Sequence, residues 1–376
     1  KTDDTFLKEE KYWGLTSDIS KRTIENEEQW ILRVDKLIGE AVWKRRKNEM
    51  SLLLSGGLDS TTLFSYLSEN KEIELEAFSA VFEELDSCDE REYINEMVDK
   101  YPEKTFNYVN CDKGGILEGC PYTYFYTSEP HINVINKALN EKLFLAIKDK
   151  GYRYVVDGFF ADHIFNGSIY YVIDEIKKGH FVRAFRFARS YAESSNRSVW
   201  NVFFEEIIPM RNGKMFGIAD EVIRENAQSL SRIKKYSNSD LIIQIRSSIA
   251  RNFADFELAP RYGLECIHPY VDTDLVEALY EIPGQYKCSN GINKEILRKV
   301  SKEKLPKKIV DRVVKTNHTE LSQKGLRDNW AEIYNILSVG RICKFGVLNI
   351  SVEEWNEKIL LFRSGKEFDD CIWILV

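Results

Sequence analysis

The stretch from Leu52 to Leu67 constrains this chain more than any other. Leu52–Leu54 is a short apolar run, and Ser55-Gly56-Gly57 follows it without a spacer. That pattern predicts a buried strand ending in a tight loop, with a helix continuing through Thr61–Leu67. Two glycines let a backbone turn sharply and approach a ligand closely. The small hydroxyl side chains of Ser55 and Ser60 leave that approach open. Because the loop opens a helix, its free N–H groups and the positive end of the helix dipole face the same point, which suits pyrophosphate. Asp59 is out of place among phosphates unless it holds a Mg²⁺ that bridges their oxygens. The Walker pattern GxxxxGK[ST] is absent, which excludes an ordinary kinase or GTPase phosphate loop. The plain alternative is a glycine turn between a strand and a helix, with no ligand at all.

The flanking chain repeats the strand–helix pattern. Residues 26–47 carry Trp30, Val34, Leu37, Ile38, Ala41 and Val42 at helical spacing. Leu75–Phe82 reads as a second strand, Asp89–Lys100 as an acidic helix and Thr105–Val109 as a third strand. Asn133–Lys148 reads as a long helix, and Tyr154–Val156 as a strand stopped by Asp157-Gly158. Such alternation predicts an α/β fold, a parallel sheet with helices on both faces. After residue 170 the pattern becomes mostly helical. The expected organisation is an extension and lead-in helix over 1–48, a nucleotide core over 49–168 and a helical lobe over 169–376.

In parallel sheets ligands bind beyond the carboxyl ends of the strands. The segment Val156-Asp157-Gly158-Phe159-Phe160-Ala161-Asp162-His163-Ile164-Phe165-Asn166-Gly167 follows a strand at that edge. Asp162 is expected there beside Asp59, where two carboxylates could share one Mg²⁺. Phe78 and Ser79, at the end of the second strand, are placed near the adenine. His163 has two readings, a general base at neutral pH or a structural histidine beside the loop.

Composition narrows the partners. The net charge of −7 argues against a nucleic-acid binder. No apolar run reaches the ~18 residues that span a bilayer, so no membrane partner is expected. The cysteines (Cys88, Cys111, Cys120, Cys266, Cys288, Cys343 and Cys371) are odd in number and form no CxxC pair. They read as reduced thiols of a cytoplasmic protein. No signal peptide opens the chain, and the missing initiator Met hints at an upstream part that was removed or lies on another chain.

SGGLDS resembles the pyrophosphatase loop of the N-type ATP pyrophosphatases, the superfamily of asparagine synthetase and β-lactam synthetase. The second loop resembles the asparagine synthetase segment SGEGxDExFGGY, with Gly158, Asp162, Phe165 and Gly167 in matching places. Gly263–Asp272 resembles GxExRxPFxD, Gly291–Arg298 resembles GxxKxxLR, and Leu305-Pro306 with Arg312–Lys315 resembles LPxxxxxRxK. Glu129-Pro130 falls where the family often has an EP pair. The resemblance runs from about residue 10 to the C-terminus. It implies an adenine nucleotide α-hydrolase type of sheet, with ATP and Mg²⁺ as cofactors. It also implies pyrophosphate cradled by Ser55, Gly56, Gly57 and Ser60, cofactor binding at Gly158 and Asp59 as well, and metal held by Asp59 and Asp162. Lys315, one residue late for the usual spacing, is the implied lysine at the acyl-adenylate. A fixed ammonium there would offset charge on the oxyanion.

Two departures matter. Phe159 stands where asparagine synthetase has glutamate and β-lactam synthetase has tyrosine, and it neither titrates nor donates a hydrogen bond. The acid after the metal aspartate is replaced by His163. The N-terminal glutaminase domain of asparagine synthetase is not in this chain, and Lys1 cannot supply its cysteine nucleophile. Tyr171–Pro209, Lys315–His318 and Cys371–Leu375 are similar to lasso peptide macrolactam cyclases. That branch implies an internal Asp or Glu of a peptide as the carboxylate and the peptide's own amine as the attacker. The competing expectations are an asparagine synthetase acting on aspartate, with its glutaminase domain on a lost segment or a partner chain, and a non-catalytic nucleotide-binding scaffold.

Overall fold

A computed structural model of the chain describes residues 13–15, 26–115, 118, 136–194, 197–208, 235–248, 253–289, 291–316, 318–331, 334 and 351–363. Glu129-Pro130, Asn317, Cys371–Leu375 and part of the Tyr171–Pro209 segment lie outside these residues. The chain packs as two compact units. One comprises Val42–Phe159, Ser248–Pro269 and Ser301–Val376, and it contains the sheet. The other comprises Lys1–Ala41, Phe160–Ser247 and Tyr270–Val300. Each unit interleaves distant segments, so division by packing and division along the sequence give different boundaries.

In the sheet unit, β1 (Glu49–Leu53), β2 (Glu74–Val81), β3 (Thr105–Asn110), β4 (Tyr154–Val156) and β5 (Glu265–Ile267) form one sheet in the order β3-β2-β1-β4-β5. Every pairing is parallel, with Leu52 opposite Ala77 and Val156, and Val156 opposite Ile267. Helix α1 is Glu27–Arg45, α2 is Leu58–Ser68, α3 is Arg91–Lys100 and α4 is Lys137–Asp149. The predicted alternation is therefore present, each expected element lying within a few residues of the observed one. β5 was not expected. It lies in the stretch read as helical, and three residues are too short to show a period.

The sequence of the α2 segment suits its position. Residues Leu58 to Leu67 are all buried, polar ones included. The Thr61 hydroxyl donates to the Gly57 carbonyl at 2.8 Å and that of Thr62 to the Leu58 carbonyl at 2.7 Å. These local bonds satisfy groups that would otherwise be buried without partners. Phe64 packs against Tyr101 and Phe106 with ring centroids 5.4 and 5.2 Å away. Elsewhere in this unit Phe78, Phe144, Ile147, Tyr152, Val155, Phe253, Leu258 and Leu264 form a continuous core.

In the other unit, Ala184, Ala188 and Ala192 recur every four residues on the helix Phe181–Ser194, and their small side chains join Val172 and Ile173 in its core. Glu175 is fully buried, yet Lys178, His180 and Arg183 reach it at 2.6, 2.9 and 3.2 Å. Burial alone would raise its pKa, but these three donors hold it below the usual carboxylate value. The Asp174 carboxylate accepts from the Tyr236 and Ser237 backbone N–H groups at 2.7 and 3.0 Å, and from the Ser237 hydroxyl at 2.6 Å. It thereby anchors the start of the helix Tyr236–Ser247. Cys88, Cys111, Cys266 and Cys288 are free thiols. Among the described residues no helix is long and apolar enough to cross a membrane.

Candidate active site

The carboxyl edge of the sheet gathers the loop after β1, the loop after β4 and the turn after β5. The strand order reverses direction about β1, between β2 on one side and β4 on the other, where such sheets open a crevice. Ser55–Gly57 fills the turn there, and α2 starts at Leu58 with Gly57 as its N-cap. Ser60 Oγ accepts from the Ser55 N–H at 3.1 Å and lies 3.0 Å from Ser55 Oγ, so the two serines brace the turn from inside. The Gly57 N–H reaches Ser55 Oγ at 3.3 Å.

Gly56 is required by close approach. A Cβ there would lie 2.5 Å from Tyr93 Cβ and 3.2 Å from an Arg312 nitrogen. Its N–H donates to Glu90 at 3.1 Å, its carbonyl accepts from Arg312 at 2.9 Å, and Arg312 pairs with Glu90 at 2.8 Å. A carboxylate of the chain itself thus rests on this loop nitrogen. Gly158 allows the loop after β4 to close on the same helix start. A Cβ at Gly158 would stand 3.0 Å from both Asp59 Cβ and the Ser60 nitrogen.

Asp59, in the first turn of α2, is 9% exposed, and Lys315 Nζ stands 3.3 Å from its Oδ2. Beside it, an apolar slot of about 150 Å³ opens between β1, β2 and α4. Leu53, Leu54, Phe78, Phe82, Leu143 and His318 are among its walls, and Ser55 joins it to the glycine loop. Phe78, one of the residues expected near the adenine, is one of its walls. Ser79 does not line the slot. Side chains alternate along a strand, so Phe78 and Ala80 share one face of β2 and Ser79 takes the other. Ser79 is 2% exposed on that face. Burial holds the His318 pKa below its ordinary value.

The loop after β4 carries a charged cluster that the sequence reading missed. His268 follows β5, and its ring lies 2.8 Å from Asp157 through Nδ1 and 2.7 Å from Asp255 through Nε2. Burial pushes the imidazole pKa down, but the two carboxylates outweigh it and hold it at about 9. His268 is therefore an imidazolium with both nitrogens engaged, which makes it a clamp and not a base. Phe159 sets its ring edge against it at 5.1 Å. The usable signal was position: Asp157 and His268 each follow the last residue of a strand, and those strands are neighbours.

The other unit holds Asp162 and His163, on the short helix α5 (Ala161–Phe165). Asp59 and Asp162, expected as a metal pair, thus belong to different units. Asp162 pairs with Lys294 at 2.6 Å, and its side chain is 54% exposed. Lys294 is 4% exposed and has a left-handed backbone at φ 61°. Phe160, at the second glycine of the motif, keeps a left-handed backbone at φ 78° despite its ring. For a bulky residue this costs on the order of 1–3 kcal/mol. Burial of the ring, stacked on His163 at 5.3 Å, offsets it. Burial also holds His163 below the ordinary histidine pKa.

A carboxylate, such as Asp59 in the sheet unit or Asp162 in the other, is a hard donor of the kind Mg²⁺ takes when phosphates supply the remaining ligands. Among the described residues no cluster of three or more His, Cys, Asp and Glu could cage a metal by itself.

A five-stranded parallel sheet, a glycine turn opening a buried helix and an apolar slot beside it define an ATP-using α/β enzyme. Residues 33–349 match the family model described as asparagine synthase, and the chain belongs to that family. Its members are ATP-dependent amide-forming synthetases. No curated protein matches the sequence. Among solved structures, the U34-tRNA thiolase NcsA from Methanococcus maripaludis with its [4Fe-4S] cluster aligns at 13% identity. That alignment covers 59% of this chain and 80% of the thiolase, with a TM-score of 0.28, an overlap too low to carry any argument.

Proposed function

We propose that this synthetase adenylates a carboxylate of a peptide and passes it to an amine of the same peptide, closing a macrolactam of the lasso type. The carboxylate oxygen attacks the α-phosphorus of ATP, giving acyl-AMP and pyrophosphate. The amine then attacks the acyl carbon, loses a proton and expels AMP. The observation that carries the reading is the Lys315–Asp59 pair at the glycine turn, beside the apolar slot. In this reading the slot takes adenine, and Ser55, Gly56, Gly57 and Ser60 face the phosphates. Lys315 offsets charge on the acyl oxygen. Asp59 is the residue of this turn that would hold Mg²⁺, which would supply positive charge to the departing pyrophosphate.

Phe159 supports the intramolecular form. It packs on the His268 imidazolium and offers no group to an incoming ammonia. An amine tethered to its own acyl group gains from proximity alone, and so asks less of the site. Membership of the asparagine synthase family favours a second reading, an asparagine-forming synthetase.

Pyrophosphate release from MgATP separates them, with aspartate plus ammonia compared against a precursor peptide and products followed by mass. A peptide lighter by one water, with AMP formed, supports the cyclase. Asparagine supports the second reading. No turnover with either would leave a nucleotide-binding scaffold as the function.

A further inference from the structure

The unit outside the sheet contains a cavity of its own. It lies between α5, the helix Tyr236–Ser247, the helix Thr273–Glu281 and the turn Gly284–Lys287. Its walls are mostly polar, including His163, Ser237, Asn238, Asp240, Gln244 and Lys287. Lys287 is 7% exposed. Among the described residues Asp240 is the opposite charge that acts on its ammonium. An isolated ammonium out of water is costly, and buried charges are normally paired.

We propose that this cavity is a binding subsite for a carboxylate group, with Lys287 as its charged contact. The size agrees. The cavity measures about 30 Å³, room for about two water-sized groups, which is what the two oxygens of a carboxylate occupy. The polar rim is built in place, because Asp174 anchors the helix start that presents Ser237, Asn238 and Asp240. The charges also agree. Burial lowers the Lys287 pKa to about 7, Asp240 raises it and Lys235 lowers it further. A bound anion would restore the ammonium. For the proposed synthetase, and resting on that reading, the occupant is a carboxylate that is not the one adenylated: the α-carboxylate of an amino acid or the C-terminus of a peptide.

The test uses the full chain without ATP, so its outcome does not depend on turnover. L-aspartate, N-acetyl-glycylglycine and N-acetyl-glycylglycine amide are titrated calorimetrically into the wild type, Lys287→Met and Lys287→Arg. We expect one or both acids to bind and the amide not to. Lys287→Met should weaken the acid by about 10-fold or more, the worth of one hydrogen bond to a charged group. Lys287→Arg should retain binding. Affinity in the wild type should fall between pH 6 and pH 9, as Lys287 loses its proton while the probe stays ionised. His163, Asp240 and Lys235 are the other titratable groups facing it, and an Asp240→Asn variant shows whether the pH dependence follows Lys287. Binding of aspartate alone assigns an amino acid, and binding of the peptide acid alone assigns a peptide terminus. Equal affinity in Lys287→Met, equal binding of acid and amide, or no binding by any probe overturns the proposal. Since Lys287→Met removes a buried ammonium, its thermal midpoint should not fall. If that variant does not fold, the wild-type acid-against-amide comparison and pH profile decide.

Discussion

Lys315 Nζ stands 3.3 Å from Asp59 Oδ2, although 256 residues separate the two in sequence. One belongs to the turn that opens α2, the other to the exposed segment after Arg312. Their pairing sets a half-exposed positive charge beside a largely buried carboxylate at the glycine turn. Asp59→Ala should abolish ATP turnover. Lys315→Met should lower kcat by about 10²–10³-fold, with a much smaller change in the KM for ATP. Pyrophosphate release measures both, and full activity in Asp59→Ala would sink the metal assignment.

Gly56 and Gly158 differ in how much room a methyl group would find. At Gly56 the nearest obstacle is Tyr93 Cβ at 2.5 Å, whereas at Gly158 the neighbours lie at 3.0 Å. Gly56→Ala should destabilise the fold by roughly 1–3 kcal/mol, and Gly158→Ala by less. Thermal unfolding of the two variants gives the order directly; a milder effect at Gly56 would contradict the packing described.

His268 predicts a pH dependence. Its pKa is raised to about 9 in the folded chain, so it binds a proton more tightly folded than unfolded. Its contribution is therefore complete below about pH 6.5 and is lost as pH rises to about 9, with an upper bound on the order of 3 kcal/mol. Denaturant unfolding at pH 6, 7.5 and 9 should show this decline. His268→Gln should be less stable at pH 6 and show a flatter profile.

The slot near β2 can be blocked. Ala80 is one of its walls, and Ala80→Leu adds bulk where adenine is placed. The KM for ATP should rise by about 10-fold or more while the far-ultraviolet dichroism stays unchanged. An unaltered KM would move adenine elsewhere.

The Arg312–Glu90 pair is largely buried, with side-chain exposures of 6% and 13%. Arg312→Met leaves the carboxylate without its partner and should cost about 3–5 kcal/mol. The double variant Arg312→Met/Glu90→Gln should recover part of that loss, because no unpaired charge remains. Chemical denaturation of the single and double variants tests the coupling.

The parallel sheet was legible because its signal is local. Leu52–Leu54 and Tyr154–Val156 are apolar runs cut off by Ser-Gly-Gly and Asp-Gly, and such boundaries need no knowledge of the remaining chain. β5 was not legible, since Glu265-Cys266-Ile267 acquires its strand identity only by pairing with β4. Ser79 takes its direction from the strand and not from its sequence neighbour. It adjoins Phe78, yet the pleat turns it away from the slot that Phe78 lines.

By itself, the sequence determined the chemistry of the turn. Two glycines, two small hydroxyls and an aspartate at that spacing set what can approach the backbone, and residues 33–349 determined the family. Tertiary structure alone decided which distant groups complete the site. Arg312 meets Gly56 and Glu90, Asp157 and Asp255 enclose His268, Lys294 meets Asp162, and Lys287 shares a cavity with Asp240. Ionic and hydrogen-bonded pairs depend on where neighbouring strands and helices deliver their ends. A carboxylate 111 residues from its histidine leaves no periodic trace in the chain.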